Sequence, residues 1–141
     1  MIRVILVVIA LLACAYATYT DFKFRYINDW LSWGLVGVGI GGHALISLIE
    51  WSITPLLYSI GGAAIFFGIS AVHYYVGEFG GGDAKLFTGI AAAVPIYPFI
   101  SYSSTLASWP FLATLFINIF FIGVFWQISY SAFKAIANFK R

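Results

Sequence analysis

Charge is what this sequence has least of. Of its 141 residues, seven are Lys or Arg and five are Asp or Glu, whereas 62% are hydrophobic. A soluble domain of this length could not cover so much apolar surface with its polar residues. The bilayer must therefore be the solvent for most of the chain. The small net charge of +2 gives no basis for nucleic-acid binding.

Cysteine and histidine are nearly absent as well. Cys14 is the single cysteine, and His43 and His73 are the two histidines. One cysteine cannot form an internal disulfide or a paired-cysteine zinc site. We predict a packed, hydrogen-bonded His43 and an interfacial His73, the alternatives being a ligand role for His43 and a site role for His73. The sequence predicts no metal and no cofactor, so any chemistry must come from very few side chains.

Long apolar runs are abundant instead. They predict an all-α polytopic membrane helix bundle, a single membrane-embedded domain over residues 1–141 with about five transmembrane helices, four to six being compatible with the pattern. The spans are predicted at residues 4–19, 31–49, 53–76, 86–100 and 109–132. The fourth run reaches roughly 22 Å at about 1.5 Å per residue, less than a ~30 Å hydrocarbon core. It must thin the bilayer locally or pack against longer neighbours.

Glycines in the second and third runs are expected to allow close helix packing. The second run contains a GxxxG pattern, which lets two helix backbones approach. Pro55 suits the first turn of the third helix. The predicted close-packing positions are Gly34, Gly37, Gly41, Gly61, Gly62 and Gly68.

Basic residues are distributed unevenly between the two sides of the predicted bundle. With five spans, six of them fall on one side and only Arg3 on the other. Basic residues concentrate on the cytoplasmic side of membrane proteins, so we predict an external N-terminus and a cytoplasmic C-terminus. The residues on the predicted cytoplasmic side are Lys23, Arg25, Lys85, Lys134, Lys140 and Arg141.

Three consecutive glycines, Gly80, Gly81 and Gly82, lead into Asp83 and Lys85 between two apolar runs. Glycine adopts positive φ readily and lets another backbone approach closely. The stretch therefore predicts a pliable loop that admits a second chain beside a carboxylate. The alternative is an ordinary interhelical turn in which Asp83 caps the next helix.

A second acid, Asp21, ends the first span, and Asp83 opens the fourth, so both are expected at the same face. Ionisable residues at membrane depth are costly and indicate function. Two neighbouring carboxylates share a proton, so one can act as general base on water while the other polarises a carbonyl as general acid. The structural alternative is that Asp21 pairs with Arg25 one turn later and Asp83 only caps a helix.

These residues resemble a known family. Asp21 followed by Lys23, Arg25, Ile27 and Asn28, with the later GGGDAKL stretch, is similar to type IV prepilin and archaeal preflagellin peptidases. These are GxGD aspartic peptidases of the membrane, with one aspartate after the first helix and the second in GxGDxKL. The resemblance extends from the first helix to the fourth.

By this resemblance Asp21 and Asp83 are the catalytic pair, within an active-site loop that includes Gly80, Gly81, Gly82 and Lys85. The resemblance implies a multi-pass endopeptidase of the cell membrane that removes short basic leaders from pilin-like or archaeal flagellin-like precursors at the cytoplasmic face. The implied partners are that precursor and the lipid bilayer, and no nucleic acid.

Two departures from the family qualify this expectation. Large bacterial members carry a cysteine-rich insert and also methylate the new amino terminus, whereas this chain has only Cys14. We therefore expect a short, single-function type without methyltransferase activity. Preflagellin peptidases usually have a sixth span, so the last helix matches least well.

Two other functions stay open from the residues alone. A proton-coupled carrier or channel subunit would use the same acids as a relay, although carriers usually show internal repeats and hold charges near the midplane. A non-catalytic assembly subunit would use the glycines and aromatics only for packing. Glu78 and Asp29 are candidates for attracting a basic leader, and a solvated surface position is the alternative for each.

Overall fold

The computed structural model describes residues 1–77, 79–95 and 111–139, which form five α-helices. The all-α prediction is confirmed: the described residues contain no strand, and four helices are long and apolar enough to cross a membrane. Predictions for Glu78, residues 96–110, Lys140 and Arg141 lie outside the described residues. The helices are α1 (Ile2–Phe24), α2 (Asp29–Ile49), α3 (Thr54–Val76), α4 (Gly81–Ala93) and α5 (Phe111–Phe139).

Five helices occur in the predicted order and four of them are candidate membrane spans, but their ends differ from the predicted ones. Helix α1 continues to Phe24, beyond the predicted end at residue 19, so Asp21 lies in its last turns. Arg25 then ends the helix in the left-handed conformation with φ of 53°. Pro55 occupies the first turn of α3, as predicted, where a missing backbone N–H costs no hydrogen bond.

Helix α4 is the centre of the bundle although it is the shortest helix. Its 13 residues reach only about 20 Å at 1.5 Å per residue, too short to span the hydrocarbon core alone. It packs most extensively against α2 and α3, which confirms the expectation that longer neighbours surround it. Ala91, Ala92 and Ala93 are 0–2% exposed, and Ser59 of α3 donates a 2.7 Å hydrogen bond to the Ala92 carbonyl.

The GxxxG prediction for α2 is wrong about which face packs. Among the atoms of the described residues, a Cβ added at Gly34, Gly37 or Gly41 would meet none within 4 Å, whereas one at Gly39 would lie 2.6 Å from the Ala92 carbonyl carbon. The buried residues of α2 recur every three to four positions and include Gly39, so the GxxxG glycines lie on another face. In α3, similarly, Gly62 is tightly packed while Gly61 and Gly68 face open space.

This packing predicts a sharp difference between two glycine substitutions in one helix. Gly39→Ala is expected to lower the free energy of unfolding of the detergent-solubilised protein by about 1–3 kcal/mol, because the new methyl group overlaps the α4 backbone. Gly37→Ala is the matched control, and it should be neutral or gain up to about 1 kcal/mol from helix propensity. Equal thermal unfolding of the two variants would contradict the close α2–α4 contact.

Consecutive antiparallel helices place two sets of polar residues at opposite ends of the bundle. At one end Arg3 of α1 forms a 2.8 Å ion pair with Glu50, which follows α2. The other end contains the end of α1, the starts of α2 and α4, and the end of α3. Helix α5 contacts the bundle through its first turns, where Leu112 is buried and Phe116 packs against Phe66.

Candidate active site

The two acids singled out in the sequence line one cleft. Asp21 lies in the last turns of α1 and Asp83 in the first turn of α4, and both line a cleft of about 390 Å³. One wall is the end of α1 with residues 25–27 and 29, and the other is residues 80–83 with Lys85. The fold therefore brings together two carboxylates that are more than sixty residues apart in the chain.

Asp83 occupies the third position of α4, and its carboxylate also stabilises the start of that helix. Its Oδ2 accepts a 3.1 Å hydrogen bond from the backbone N–H of Gly80, the N-cap residue. This is one half of a capping box, and the other half is missing because glycine has no side chain to reciprocate. This is the capping role that the sequence left open as the alternative to a pliable loop, and it uses one of the two carboxylate oxygens.

The surroundings of Asp83 favour its protonated form. Partial burial of the carboxyl group raises its pKa above the ordinary value, and the negative charge of Asp21 raises it further. The hydrogen bond from Gly80 stabilises the charged form and opposes both effects. Asp83 is therefore the member of the pair whose environment is suited to retaining a proton.

The prediction of a pliable glycine loop is wrong in its geometry. Gly80 is an extended N-cap residue, and Gly81, Gly82 and Lys85 lie in the first turns of α4. Among the described glycines only Gly77, which ends α3, has positive φ. The run starts a helix here because Asp83 caps it, and the neighbouring segment leaves no room for a side chain at one position, Gly82.

Gly82 shows this lack of room most clearly. A Cβ added there would lie 2.9 Å from the Cβ of Ile27, a residue that is 8% exposed. At Gly81 the nearest atom, Cε2 of Tyr74, would be 3.5 Å away, an ordinary contact distance. Gly82 is therefore the position at which α4 touches the connection between α1 and α2. This contact determines how far apart the two walls of the cleft stand.

Lys85 binds a residue of α2 across the cleft. Its Nζ lies 2.7 Å from Oδ1 of Asp29, the first residue of α2. Asn28, and not Asp29, takes the N-cap position of α2. The Asp29 carboxylate pairs with Lys85 instead of capping the helix. Sequence reasoning missed this pair, because the two residues are far apart in the chain and nothing in the pattern links them.

The structural alternatives for the other polar residues can now be compared with the geometry. Asp21 and Arg25 form no ion pair in the described part of the chain, although both line the cleft. His43 is 2% exposed and its Nδ1 lies 2.9 Å from the Gly39 carbonyl oxygen, which confirms the packed, hydrogen-bonded histidine. His73 stacks on Phe79 with ring centroids 4.9 Å apart, next to the cleft wall.

Comparison with known proteins identifies the family. The family model described as the type IV leader peptidase family matches residues 7–128, which include both acids, helices α2, α3 and α4 in full, and most of α1 and α5. The chain belongs to the type IV leader peptidase family. No solved structure is detectably similar to the chain.

Three curated proteins illustrate the family relationship. The chain is 34% identical over 127 residues to the prepilin peptidase EppA of Methanothermobacter thermautotrophicus, covering 83% of this chain and 32% of that protein. It is 32% identical to the preflagellin peptidase of Methanococcus maripaludis (86% and 53% covered) and 30% identical to that of Methanococcus voltae (92% and 58% covered). The chain thus spans about a third to three fifths of the length of these type IV leader peptidase relatives.

Among the described residues of this chain, no three His, Cys, Asp or Glu side chains lie close enough together to hold a metal ion. The donors in the cleft are the carboxylates Asp21, Asp29 and Asp83, and one of these is already bound to Lys85. What the cleft offers chemically is a pair of acids in different environments next to a helix N-terminus.

Proposed function

We propose that this chain is a membrane aspartic endopeptidase that removes the short basic leader from pilin-like or flagellin-like precursors, with Asp21 and Asp83 activating water. The observation that carries the proposal is that these two acids, more than sixty residues apart within the matched region, line one cleft. Family membership and the names of the three relatives support a leader peptidase reaction.

The reaction follows from the different surroundings of the two acids. The raised pKa of Asp83 suits it to carry the shared proton and to hydrogen-bond to the carbonyl oxygen of the scissile peptide, while Asp21 takes a proton from a water molecule. The water oxygen attacks the carbonyl carbon, and the proton of Asp83 moves to the carbonyl oxygen. Breakdown of the tetrahedral species breaks the C–N bond and transfers the proton held by Asp21 to the leaving amine. One hydroxyl of the tetrahedral species returns its proton to Asp83, which forms the product carbonyl and restores the pair.

The start of α4 contributes to the same step. The first N–H groups of a helix lack intrahelical partners, and the helix dipole puts partial positive charge at this end. Gly81 and Gly82 occupy the first two positions of α4 on the cleft wall. Their position supports stabilisation of the negative charge that develops on the substrate oxygen.

The location of the cleft fits a substrate helix that lies in the bilayer. Asp21 ends a candidate membrane span, so a precursor helix beside α1 would present its leader junction at the same depth. Acids at the end of a bundle also differ from those of carriers, which sit near the midplane. We place the site at the cytoplasmic face, because the basic residues concentrate at this end. We propose peptidase activity without methyltransferase activity.

The direct test uses purified protein in detergent and a synthetic pilin-like precursor with a basic leader. Cleavage at the leader junction, read by mass spectrometry of both products, is the expected result. An unmethylated new amino terminus in the presence of S-adenosylmethionine is expected as well. Transport of protons in vesicles without any cleavage would favour the carrier function instead.

Orientation in the membrane gives a separate prediction. Single cysteines placed at Lys23, Lys85 or Lys140 in a Cys14→Ser background should react only with reagents supplied from the cytoplasmic side. Cysteines at Glu50 or Ser104 should react from outside. The six-to-one distribution of basic residues is the reason for this expectation. External labelling at Lys85 would put the cleft on the wrong side for an uncleaved leader.

A further inference from the structure

Three of the described basic residues belong to the segments around the cleft, and they are held differently. Lys23 lies along α1, with its Nζ 3.3 Å from the Tyr19 hydroxyl and over the Phe24 ring. Arg25 lines the cleft without pairing to a described carboxylate. Lys85 is the one that crosses the cleft, where Asp29 binds it at 2.7 Å.

We infer that Asp29 is a positioning residue for the proposed reaction: by binding the Lys85 ammonium group it keeps that cation from pairing with the acids of the same cleft. This inference rests on the proposed function of Asp21 and Asp83. It gives Asp29 a role that the residue pattern does not reveal, since an acid at the start of a helix is ordinarily a capping or surface residue.

The geometry identifies where Lys85 would go without Asp29. The lysine side chain is flexible, with its charge at the end of a four-carbon stem. Asp21 lines the same cleft from the opposite wall. Asp83 is two residues before Lys85 in α4, and residues at that spacing do not face each other on a helix. Asp21 is therefore the carboxylate that a released Lys85 would pair with.

An ammonium group beside the pair would change its titration. The groups that face the pair are Arg25 and Tyr26 after α1, Asp29 from α2, Lys85 from α4, and Tyr74 at the end of α3. A cation within 4–6 Å of a carboxyl lowers its pKa by about 1–3 units, because it favours the charged form. The pair would then lose its shared proton at lower pH, and the pH range of the active singly protonated state would move downward.

The test compares pH profiles of four proteins: wild type, Asp29→Asn, Lys85→Gln and the double variant. In Asp29→Asn the alkaline limb of the kcat/KM profile is expected to move about one pH unit lower, an approximately tenfold loss of activity on that limb. In the double variant the limb should return to the wild-type pH, because the released cation is gone. Thermal stability should change little in any of them, since exposed ion pairs stabilise folds weakly.

Glu50→Gln is the matched control. It also converts an ion-paired acid to its amide, and it releases Arg3 at the opposite end of the bundle. Its pH profile should be that of the wild type. A shift of the same size in Glu50→Gln would mean that any loss of negative charge moves the profile.

A second readout needs no substrate. Carbodiimide with an added amine modifies protonated carboxyl groups, so mass spectrometry of the Asp21 and Asp83 peptides over a pH series reports their shared titration. The labelling midpoint should fall in Asp29→Asn and recover in the double variant. An unchanged midpoint in Asp29→Asn, or a shift that persists in the double variant, overturns the inference. Absence of cleavage by the wild type would instead refute the proposed function, while the labelling still decides the role of Asp29.

Discussion

Asp21→Asn and Asp83→Asn are each expected to abolish leader cleavage, with a loss of about 10⁴-fold or more, as for members of other catalytic units. Asparagine keeps the shape of aspartate and much of its hydrogen bonding, so the fold should survive. It cannot share a proton or take one from water, so both the general base and the general acid depend on intact carboxylates. The measurement is single-turnover cleavage of a pilin-like precursor by purified protein.

The double variant should be about as inactive as either single one, because the two acids act as a unit. Glu50→Gln is a suitable control, since Glu50 lies at the far end of the bundle. Asp29→Asn is not a suitable control, because the Asp29 carboxylate lies in the cleft and binds Lys85. Appreciable cleavage by either single variant would remove that aspartate from the mechanism.

The pH dependence of kcat/KM in the wild-type protein should also report the environment of Asp83. Burial and the charge of Asp21 raise the pKa of the Asp83 carboxyl, so the pair keeps its shared proton to higher pH than an isolated aspartate would. The alkaline limb of kcat/KM should accordingly lie above the ordinary aspartate range. The limb belongs to the pair and not to one residue, since the two titrations are coupled.

Gly82→Val is expected to lower turnover by about 10²-fold while the protein still inserts and folds. A Cβ at this position would lie 2.9 Å from the Cβ of Ile27, so α4 or the connection after α1 must move. A shift of about 1 Å between catalytic groups costs roughly that factor. Asp83 is the next residue in the chain, so the displacement changes its position relative to Asp21. Turnover of the purified variant, with its thermal unfolding as a fold check, tests this.

Gly81→Ala provides the matched comparison for Gly82→Ala. The two positions are adjacent in one helix turn, but the added methyl group at Gly81 meets Tyr74 only at an ordinary contact distance of 3.5 Å. Gly81→Ala should keep most of the activity, and Gly82→Ala should lose a substantial part of it. Full activity of Gly82→Val would show that the approach of α4 to Ile27 is unimportant for the reaction.

The sequence by itself determined the class of fold and the chemistry on offer. Apolar runs with so few charges have one stable solution, helices in a bilayer, because every backbone polar group there must be hydrogen-bonded internally. The scarcity of reactive side chains led to Asp21 and Asp83. Asp21 ends α1 and Asp83 begins α4, so the alternating direction of consecutive helices puts both acids at the same end of the bundle. These inferences depend on composition and order along the chain, which the sequence contains in full.

Only the tertiary structure decided which faces pack and which side chains meet. The GxxxG of α2 indicated Gly37 and Gly41 as close-packing positions, yet the α4 backbone approaches α2 at Gly39. Both faces of α2 contain glycine, so the sequence pattern did not distinguish the face that packs against α4. The glycine run predicted a loop with positive φ, yet it begins a helix, because Ile27 fills the space beside Gly82 and Asp83 caps Gly80. The ion pair between Asp29 and Lys85 depends on the relative positions of the starts of α2 and α4, two helices that are far apart in the chain. Periodicity within one segment does not contain that information, since it arises from contacts between segments.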